Sequence, residues 1–231
     1  MIKALSTKHL DDKTMDYAHS LNFDISCVDF IKIVPAMWDE NVLNLHEFDS
    51  VAFTSDNAVK YFVENKRAAD WIKDKNIFSI AGKTTEKLNY YGITTVVNAM
   101  NARQLTEEVV KRKLTNSVLH VCGNMRLDIL GKMLTGAEIN YHALEVYNTE
   151  LITGLALETD FDVILFYSPS GVDGFLSANK IDKKTICCCI GDTTSAKLRK
   201  IVSPSSIVVS PFPSPKSMIE RVAKYFEKTS G

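Results

Sequence analysis

The stretch VILFYSPSGVDGF at residues 163–175 begins as a short apolar run and turns abruptly into small polar residues. The apolar run predicts a buried strand. Ser168 followed by Pro169 is typical of a helix N-cap and first helical position. A related stretch, SVAFTSDNAVKYF, occupies residues 50–62, with Ser55 in the place of Ser168. The chain therefore carries the same strand–serine–helix joint twice.

Two further motifs also occur in pairs. AGKTTEKL at 81–88 is matched by IGDTTSAKL at 190–198, and NARQLTEEV at 101–109 is matched by SPKSMIERV at 214–222. The three motifs follow one another in the same order and at nearly the same spacing in both halves. This self-similarity indicates an internal duplication and predicts two similar domains.

The fold class follows from the alternation of short apolar runs with helical periods along the chain. Strands that alternate with helices of this length are typical of parallel sheets covered on both faces. We therefore expect two flavodoxin-like α/β domains. One of the predicted helices spans 125–134, and one of the predicted strands spans 95–97.

The domain boundaries are set by the repeats. Residues 1–33 lack a joint of this kind and stand outside both repeats. We expect an inserted domain at 37–141 and a discontinuous domain made of 1–33 and 150–231. The β-prone segments at about 34–36 and 142–149 would then form a two-stranded connector, with a cleft between the domains.

Composition limits the classes of partner. Lys and Arg total 27 against 28 for Asp and Glu, so no global basic field favours nucleic acid. No apolar run approaches the length of a membrane span, and the N-terminus lacks a signal-peptide core. We predict a cytoplasmic, monomeric protein that binds neither membrane nor nucleic acid.

The five cysteines are predicted to be reduced, because their number is odd and their spacing fits no disulfide framework. Cys187, Cys188 and Cys189 are adjacent, and neighbouring side chains of a strand point to opposite faces. These three cannot converge on one metal ion, so we interpret them as core residues.

The repeated joints suggest anion binding. The first-turn amides of a helix have no internal partner and form a ready anion site, and ligands of open α/β sheets bind at the carboxyl ends of strands. Caps alone would also explain each joint. No catalytic signature is present: AGKTT lacks the preceding glycine of a P-loop, and the five histidines are scattered. We expect no metal and no cofactor.

Taken in order, seven motifs resemble the uroporphyrinogen-III synthase family. They are FTSDNAV, AGKTT, LHVCGNMRLDIL, LEVYNT, LFYSPSGV, IGDTTSAKL and PFPSPKSM, and from the first to the last they extend over most of the chain. The resemblance implies two α/β domains, a two-stranded connector and a substrate cleft. Many members carry Thr-Arg-Pro near the N-terminus, where this chain has Thr7-Lys8-His9, which leaves the role of Lys8 open.

The resemblance also implies the reaction. In hydroxymethylbilane, a linear tetrapyrrole with eight carboxylates, water leaves the hydroxymethyl group on ring A, giving an azafulvene cation. Ring D attacks this cation to form a spiro intermediate, which reopens and recloses as uroporphyrinogen III. Because uncatalysed closure gives the type I isomer, the enzyme must control geometry as well as rate. The implied activity is a cofactor-independent cyclising lyase of haem biosynthesis, and a transient contact with the preceding pathway enzyme is a further expectation.

The family places an important tyrosine at Tyr147, and a protonated phenol can donate a hydrogen bond to the departing hydroxyl. We predict Tyr147 as the catalytic residue. The predicted substrate-binding residues are those around the capped joints: Thr54, Ser55, Asn57, Lys83, Thr84, Thr85, Gly123, Asn124, Arg126, Ser168, Ser170, Gly171, Thr193 and Thr194.

Two other functions fit the same patterns. A non-enzymatic two-domain protein would use the cleft to bind an anionic small molecule, and would leave hydroxymethylbilane to close spontaneously to type I. A flavodoxin-like flavin or nucleotide protein would carry bound flavin after purification.

Overall fold

The computed structural model describes residues 1–39, 45–157 and 160–229. Strands and helices alternate along most of this part of the chain. The strands are β1 (Ile2–Ser6), β2 (Phe23–Cys27), β3 (Ile31–Pro35), β4 (Ser50–Phe53), β5 (Asn76–Ile80), β6 (Val97–Ala99), β7 (Ser117–Gly123), β8 (Asn140–Leu151), β9 (Val163–Phe166), β10 (Ile186–Cys189) and β11 (Ile207–Val209). The α-helices are α1 (Asp12–Ser20), α2 (Asp56–Val63), α3 (Lys66–Trp71), α4 (Lys83–Tyr90), α5 (Ala102–Lys111), α6 (Ile129–Gly136), α7 (Pro169–Leu176), α8 (Asp192–Leu198) and α9 (Pro215–Thr229).

The chain divides into two compact units. The first unit combines Met1–Lys32 with Glu150–Gly231, and the second unit is Ile33–Thr149. The second unit extends beyond the predicted 37–141 because β8 pairs with β7 from Asn140 to Tyr147, and β3 is the neighbour of β8 at the edge of the same sheet. The boundaries between the units fall within β3 and β8, so the segments predicted as connectors lie in the two strands through which the chain passes from one unit to the other.

The first unit contains a parallel five-stranded sheet in the order β11-β10-β9-β1-β2. Helices α1 and α9 cover one face through a core that includes Ala18, Met218 and Val222. Helices α7 and α8 cover the other through Val172 and Leu198. Burial on both faces explains why the inner strands β9 and β10 read as continuous apolar runs.

The second unit has six strands in the order β3-β8-β7-β4-β5-β6. The five strands β4 to β8 are parallel. The amide of Ala36 donates to Val146 and that of Ile152 to Phe30, so β3 runs antiparallel to β8. Helices α2, α3 and α4 pack on one face, and α5 and α6 pack on the other.

The two sheets have the same topology with a permuted chain. In sequence order within its unit, the second sheet reads 3-2-1-4-5 for β4 to β8, and the first sheet gives the same order when counting starts at β9 and continues through β1 and β2. The predicted fold class, two similar parallel-sheet α/β domains, is confirmed.

The permutation corrects one interpretation and the structure shifts two boundaries. Residues 1–33 do not stand outside the repeats, since β1 and β2 are the counterparts of β7 and β8. Helix α6 begins at Ile129 instead of 125, and β6 spans Val97–Ala99 instead of 95–97. Residues 125–128 form part of the turn that follows β7, which explains the later helix start.

Candidate functional site

Each sheet has one topological switch point, where the strand order reverses on the two sides of a central pair. In the second unit this pair is β4 and β7, and in the first unit it is β9 and β1. Ligands of open α/β sheets bind outside the carboxyl ends of the strands at such a point. The residues that follow these four strands are therefore the first candidates for a site.

Tyr147 lies at the switch point of the second unit. Its phenol donates a hydrogen bond to Oγ of Ser55 at 3.1 Å, and the same Ser55 oxygen accepts from the amide of Asn57 as the N-cap of α2. Burial raises the pKa of the Tyr147 phenol, and the hydrogen bond with Ser55 opposes that rise. The phenol therefore stays protonated near neutral pH.

A β-bulge sets the direction of the Tyr147 side chain. Cys122 pairs with Glu145 but Gly123 pairs with Tyr147, so the register shifts by one residue and Val146 is the extra residue. Strict alternation would place Tyr147 on the face opposite Val146. Instead both pack against the core beneath α2. Bulges of this kind re-aim side chains, often beside active sites.

Gly123 is the backbone against which the Tyr147 ring rests. A β-carbon at this glycine would lie 2.9 Å from the phenol oxygen and closer still to the ring. The neighbouring Asn124 ties the turn to the end of β8, because the amide of Thr149 donates to Oδ1 of Asn124 at 2.8 Å. The structure thus brings together the predicted residues Ser55, Gly123, Asn124 and Tyr147.

Thr54 lies at the carboxyl end of β4, beside Ser55. Its hydroxyl is 2.9 Å from Nε2 of His120, and Nδ1 of His120 is 2.9 Å from the phenol oxygen of Tyr141. His120 is 1% exposed, and burial, with a smaller effect of the Arg126 charge, lowers its pKa to about 4. The imidazole is therefore neutral at pH 7.

Arg126 follows β7 in a turn and forms an ion pair with Glu145 of β8. Burial raises the pKa of the Tyr141 phenol and raises that of the Cys122 thiol to about 11, and the nearby Arg126 charge opposes both rises. Arg126 lies next to the predicted site, and its guanidinium is paired with Glu145. Its role in substrate binding stays a prediction.

The first turn of α4 lies one strand away from the switch point, after β5. Lys83 is exposed and Thr84 is buried, whereas the Thr85 hydroxyl lies 2.9 Å from Oγ of Ser79 and donates to the carbonyl of Ile80. The Thr85 side chain is thus used within the fold. What this turn offers a ligand is its backbone amides and the Lys83 ammonium.

The switch point of the first unit joins Ser168, Ser170 and Gly171 of α7 to Thr7 after β1. Ser168 is the N-cap of α7 and accepts from the amide of Gly171 at 3.0 Å, and its hydroxyl is 3.0 Å from that of Ser170. A β-carbon at Gly171 would lie 3.6 Å from Oγ1 of Thr7. Gly171 is buried, and so is Ser170.

Lys8, the residue next to Thr7, lies against the Tyr167 ring. Nζ of Lys8 lies 4.6 Å from the centre of the Tyr167 ring, which favours a cation–π contact. Oγ of Ser6 donates to the carbonyl of Lys8 at 2.6 Å. Burial raises the pKa of the Tyr167 phenol. Lys8 therefore lies beside the first switch point.

Thr193 and Thr194 lie in the first turn of α8, after β10. Thr193 is exposed and Thr194 is 1% exposed. The buried threonine contributes to packing beneath the helix, and its neighbour is open to solvent. Like the turn of α4, this turn lies one strand away from its switch point, as the duplication requires.

Sequence reasoning missed Thr7, His120 and Tyr141. The signal for Thr7 was its position after a buried strand, but the permuted order hides its equivalence to the turn after β7. His120 was interpreted as one of several scattered structural histidines, and its burial and hydrogen bonds agree with a structural role. The contact of His120 with Thr54 depends on the pairing of β4 with β7, which the sequence does not reveal.

The interpretation of Cys187, Cys188 and Cys189 as core residues is confirmed. Cys187 and Cys189 pack on the face beneath α7 and α8, whereas Cys188 packs on the opposite face. Burial raises the pKa of the Cys187 and Cys189 thiols to about 12. Within the described residues, no group of three or more His, Cys, Asp or Glu side chains is arranged to hold a metal ion. None of the described helices is long and apolar enough to span a membrane.

The sequence was compared with models of protein families, and the structure was compared with solved structures. The family model described as Uroporphyrinogen-III synthase HemD matches residues 13–220. The structure resembles uroporphyrinogen-III synthetase from Helicobacter pylori, with a TM-score of 0.72 at 17% identity over 97% of this chain and 100% of that one.

A mutant uroporphyrinogen III synthase from Thermus thermophilus gives a TM-score of 0.68 at 14% identity over 99% of this chain and 100% of that one. Its wild type in a second crystal form gives 0.51 at 14% identity, with 100% of both chains covered. No curated protein sequence matched the chain. At these identities the solved structures show the fold, and the family model, which spans most of the sequence, shows that the chain belongs to the uroporphyrinogen-III synthase family, cyclising lyases of haem biosynthesis.

Proposed function

We propose that the switch point of the second unit is where hydroxymethylbilane loses its hydroxyl group, with Tyr147 as the hydrogen-bond donor. The observation that carries this proposal is the re-aimed Tyr147 phenol, held against Gly123 and hydrogen-bonded to Ser55. Its raised pKa keeps the proton on the phenol. A donor that turns from Ser55 to the leaving hydroxyl stabilises the negative charge that develops as the C–O bond breaks.

The steps that follow need geometry more than acid–base chemistry. Protonation of the departing hydroxyl group releases it as water and leaves an azafulvene cation on ring A, and the proton is given back when the final ring closure restores neutral pyrroles. Ring D attacks through its substituted carbon, and the spiro intermediate reopens and recloses with that ring inverted. Holding the two ends of a flexible chain in the reactive arrangement supplies much of the acceleration in such ring closures.

The carboxylates of the substrate are the second part of the proposal. Capped helix starts follow β4 and β9, and glycine-initiated helices follow β5 and β10. Their first-turn amides have no acceptor within the helix, which suits them to carboxylate oxygens. We assign this role to the backbone around Ser55–Asn57, Lys83–Thr85 and Ser168–Gly171, and to Thr193 and Thr194. The Lys83 ammonium supplies a charge close to one of these turns.

The cellular setting is also proposed. We infer a cytoplasmic monomer, and the thiols of Cys187 and Cys189, buried with raised pKa, fit a chain that needs no disulfide. Because hydroxymethylbilane closes spontaneously to the type I isomer, a transient contact with the enzyme that releases it would limit this loss.

The experiment is a Tyr147→Phe variant assayed with freshly prepared hydroxymethylbilane and isomer-resolved product analysis. The ring and its packing remain, so the fold is kept, and kcat should fall by roughly 10–100-fold, the range for one lost donor or acid. Tyr61→Phe is the matched control, since the Tyr61 ring lies 6.1 Å from that of Tyr147, and it should retain full rate.

A Tyr147→Phe enzyme with wild-type kcat would contradict the assigned role. The wild-type protein must also produce the type III isomer above the spontaneous type I background. Product consisting only of type I at the uncatalysed rate would instead favour a non-catalytic binding protein.

A further inference from the structure

A series of hydrogen bonds links the interior of the second unit to Thr54. Nδ1 of His120 lies 2.9 Å from the phenol oxygen of Tyr141, and Nε2 lies 2.9 Å from Oγ1 of Thr54. Because His120 is 1% exposed, both ring nitrogens find their partners inside the protein. The imidazole thus connects a tyrosine of β8 to a residue of the switch point.

The direction of donation along this series follows from the two hydroxyl groups that contact the ring. A phenol is far more acidic than an aliphatic hydroxyl and is the stronger hydrogen-bond donor. The Tyr141 phenol is therefore the group that donates to the imidazole, at Nδ1 of His120. A neutral imidazole that accepts at Nδ1 carries its proton at Nε2. Nε2 then donates to the Thr54 oxygen, which leaves the Thr54 hydroxyl proton free for another acceptor.

This direction of hydrogen-bond donation requires a neutral His120 imidazole. Burial and the nearby Arg126 charge both oppose protonation of the ring. The polar groups that face the imidazole are the Thr54 hydroxyl, the Tyr141 phenol and the Arg126 guanidinium. The Arg126 guanidinium is itself paired with the Glu145 carboxylate. Near pH 7 the ring therefore has one donor and one acceptor.

We propose that His120 is a positioning residue, which fixes the Thr54 hydroxyl as a donor to a substrate carboxylate at the β4–β7 switch point. The inference rests on the proposed function, in which these carboxylates bind at the switch points. An ionised carboxylate only accepts hydrogen bonds, so a hydroxyl whose oxygen already accepts from Nε2 presents its proton in the required sense. A donor oriented in advance loses less freedom when the ligand binds.

The first test is independent of activity. Nitrogen-resolved NMR of the imidazole at pH 7 should show His120 as the Nε2–H tautomer. The Tyr141→Phe variant keeps the ring but removes the donor to Nδ1, so the preference for this tautomer should weaken. An Nδ1–H tautomer or a protonated ring in the wild type would overturn the inference and leave the proposed reaction untouched.

The second test uses two substitutions at His120, each of which puts a side-chain amide in the place of one ring nitrogen. Gln at position 120 places its amide near the Nε2 position, and Asn places its amide near Nδ1. His120→Gln should therefore keep KM within about twofold of wild type, whereas His120→Asn should raise KM by roughly 10-fold with little change in kcat, as for lost ground-state binding. Exposed His142 supplies the matched control, and His142→Gln should change neither parameter.

Thr54→Val distinguishes the carboxylate site at Thr54 from the positioning role of His120. It keeps the side-chain shape and should raise KM by roughly 10-fold, the value of one hydrogen bond to a charged group. Unchanged KM in Thr54→Val would overturn the carboxylate site itself, and with it the role of His120. Raised KM in Thr54→Val with equal effects of Asn and Gln at position 120 would overturn only the positioning role.

Discussion

Gly123 allows the backbone of β7 to come close to the Tyr147 ring. The ring rests where a β-carbon would stand, so the absence of a side chain is required by a close approach and not by an unusual backbone angle. The bulge that re-aims Tyr147 begins at the same residue. One glycine therefore supports both the contact and the change of register, which makes it the most informative single position of the site.

Gly123→Ala should displace the Tyr147 ring and lower kcat by at least about 10-fold, as loss of a positioned donor does. Overpacking at a buried position should also cost about 1–3 kcal/mol of stability. Gly136→Ala is the control, because nothing lies within 4 Å of a β-carbon there, and it should leave kcat unchanged. Steady-state kinetics and thermal unfolding check both variants. Wild-type kcat in Gly123→Ala would show that the ring position is not important for catalysis.

At the level of elements, capped helix starts occur both at the switch points and away from them. Ser168 caps α7 beside the first switch point, and Asn101 caps α5 with an Oδ1 to amide distance of 3.0 Å to Gln104. Helix α5 follows β6, the edge strand of its sheet. The two caps are chemically similar but differ in whether a ligand site is expected beside them.

Ser168→Ala and Asn101→Ala should each lower the free energy of unfolding by about 1 kcal/mol, the usual value of an N-cap side chain. Only Ser168→Ala should also raise KM, because its helix start is assigned to a substrate carboxylate. Chemical denaturation measures the first effect and initial rates measure the second. Equal KM values for both variants would mean that the joint at Ser168 is only a cap.

The sequence predicted the capped joints, the parallel strands and the duplicated order because each depends on local patterns. Ser55 and Ser168 could be identified as caps from their neighbours alone. The direction of the Tyr147 side chain could not be predicted, since a bulge depends on the register with β7. Likewise, His120 could be recognised as buried and structural, but its contact with Thr54 depends on the pairing of β4 with β7.

At the scale of the whole molecule, the two units share one sheet topology but differ in where the chain enters it. In the first unit the strand order begins at β9 and continues through β1 and β2. The second unit is contiguous, and its two core clusters, with the partly buried residues packed against them, contain only residues from 38 to 147. The first unit is assembled from both ends of the chain, and β1 lies inside its sheet between β9 and β2. Removing residues 1–32 would therefore expose the edge of β9 and remove two of five strands.

A fragment of residues 31–151 should fold by itself, since it retains six strands and both faces of its sheet covered by helices. Circular dichroism and a cooperative thermal transition would establish this. A fragment of residues 150–231 should remain unfolded, because apolar residues of β9 would be exposed, and addition of a 1–32 peptide should restore structure by supplying β1 and β2. A folded 150–231 fragment would contradict the central role of β1, and an unfolded 31–151 fragment would show that the contiguous unit depends on the rest of the chain.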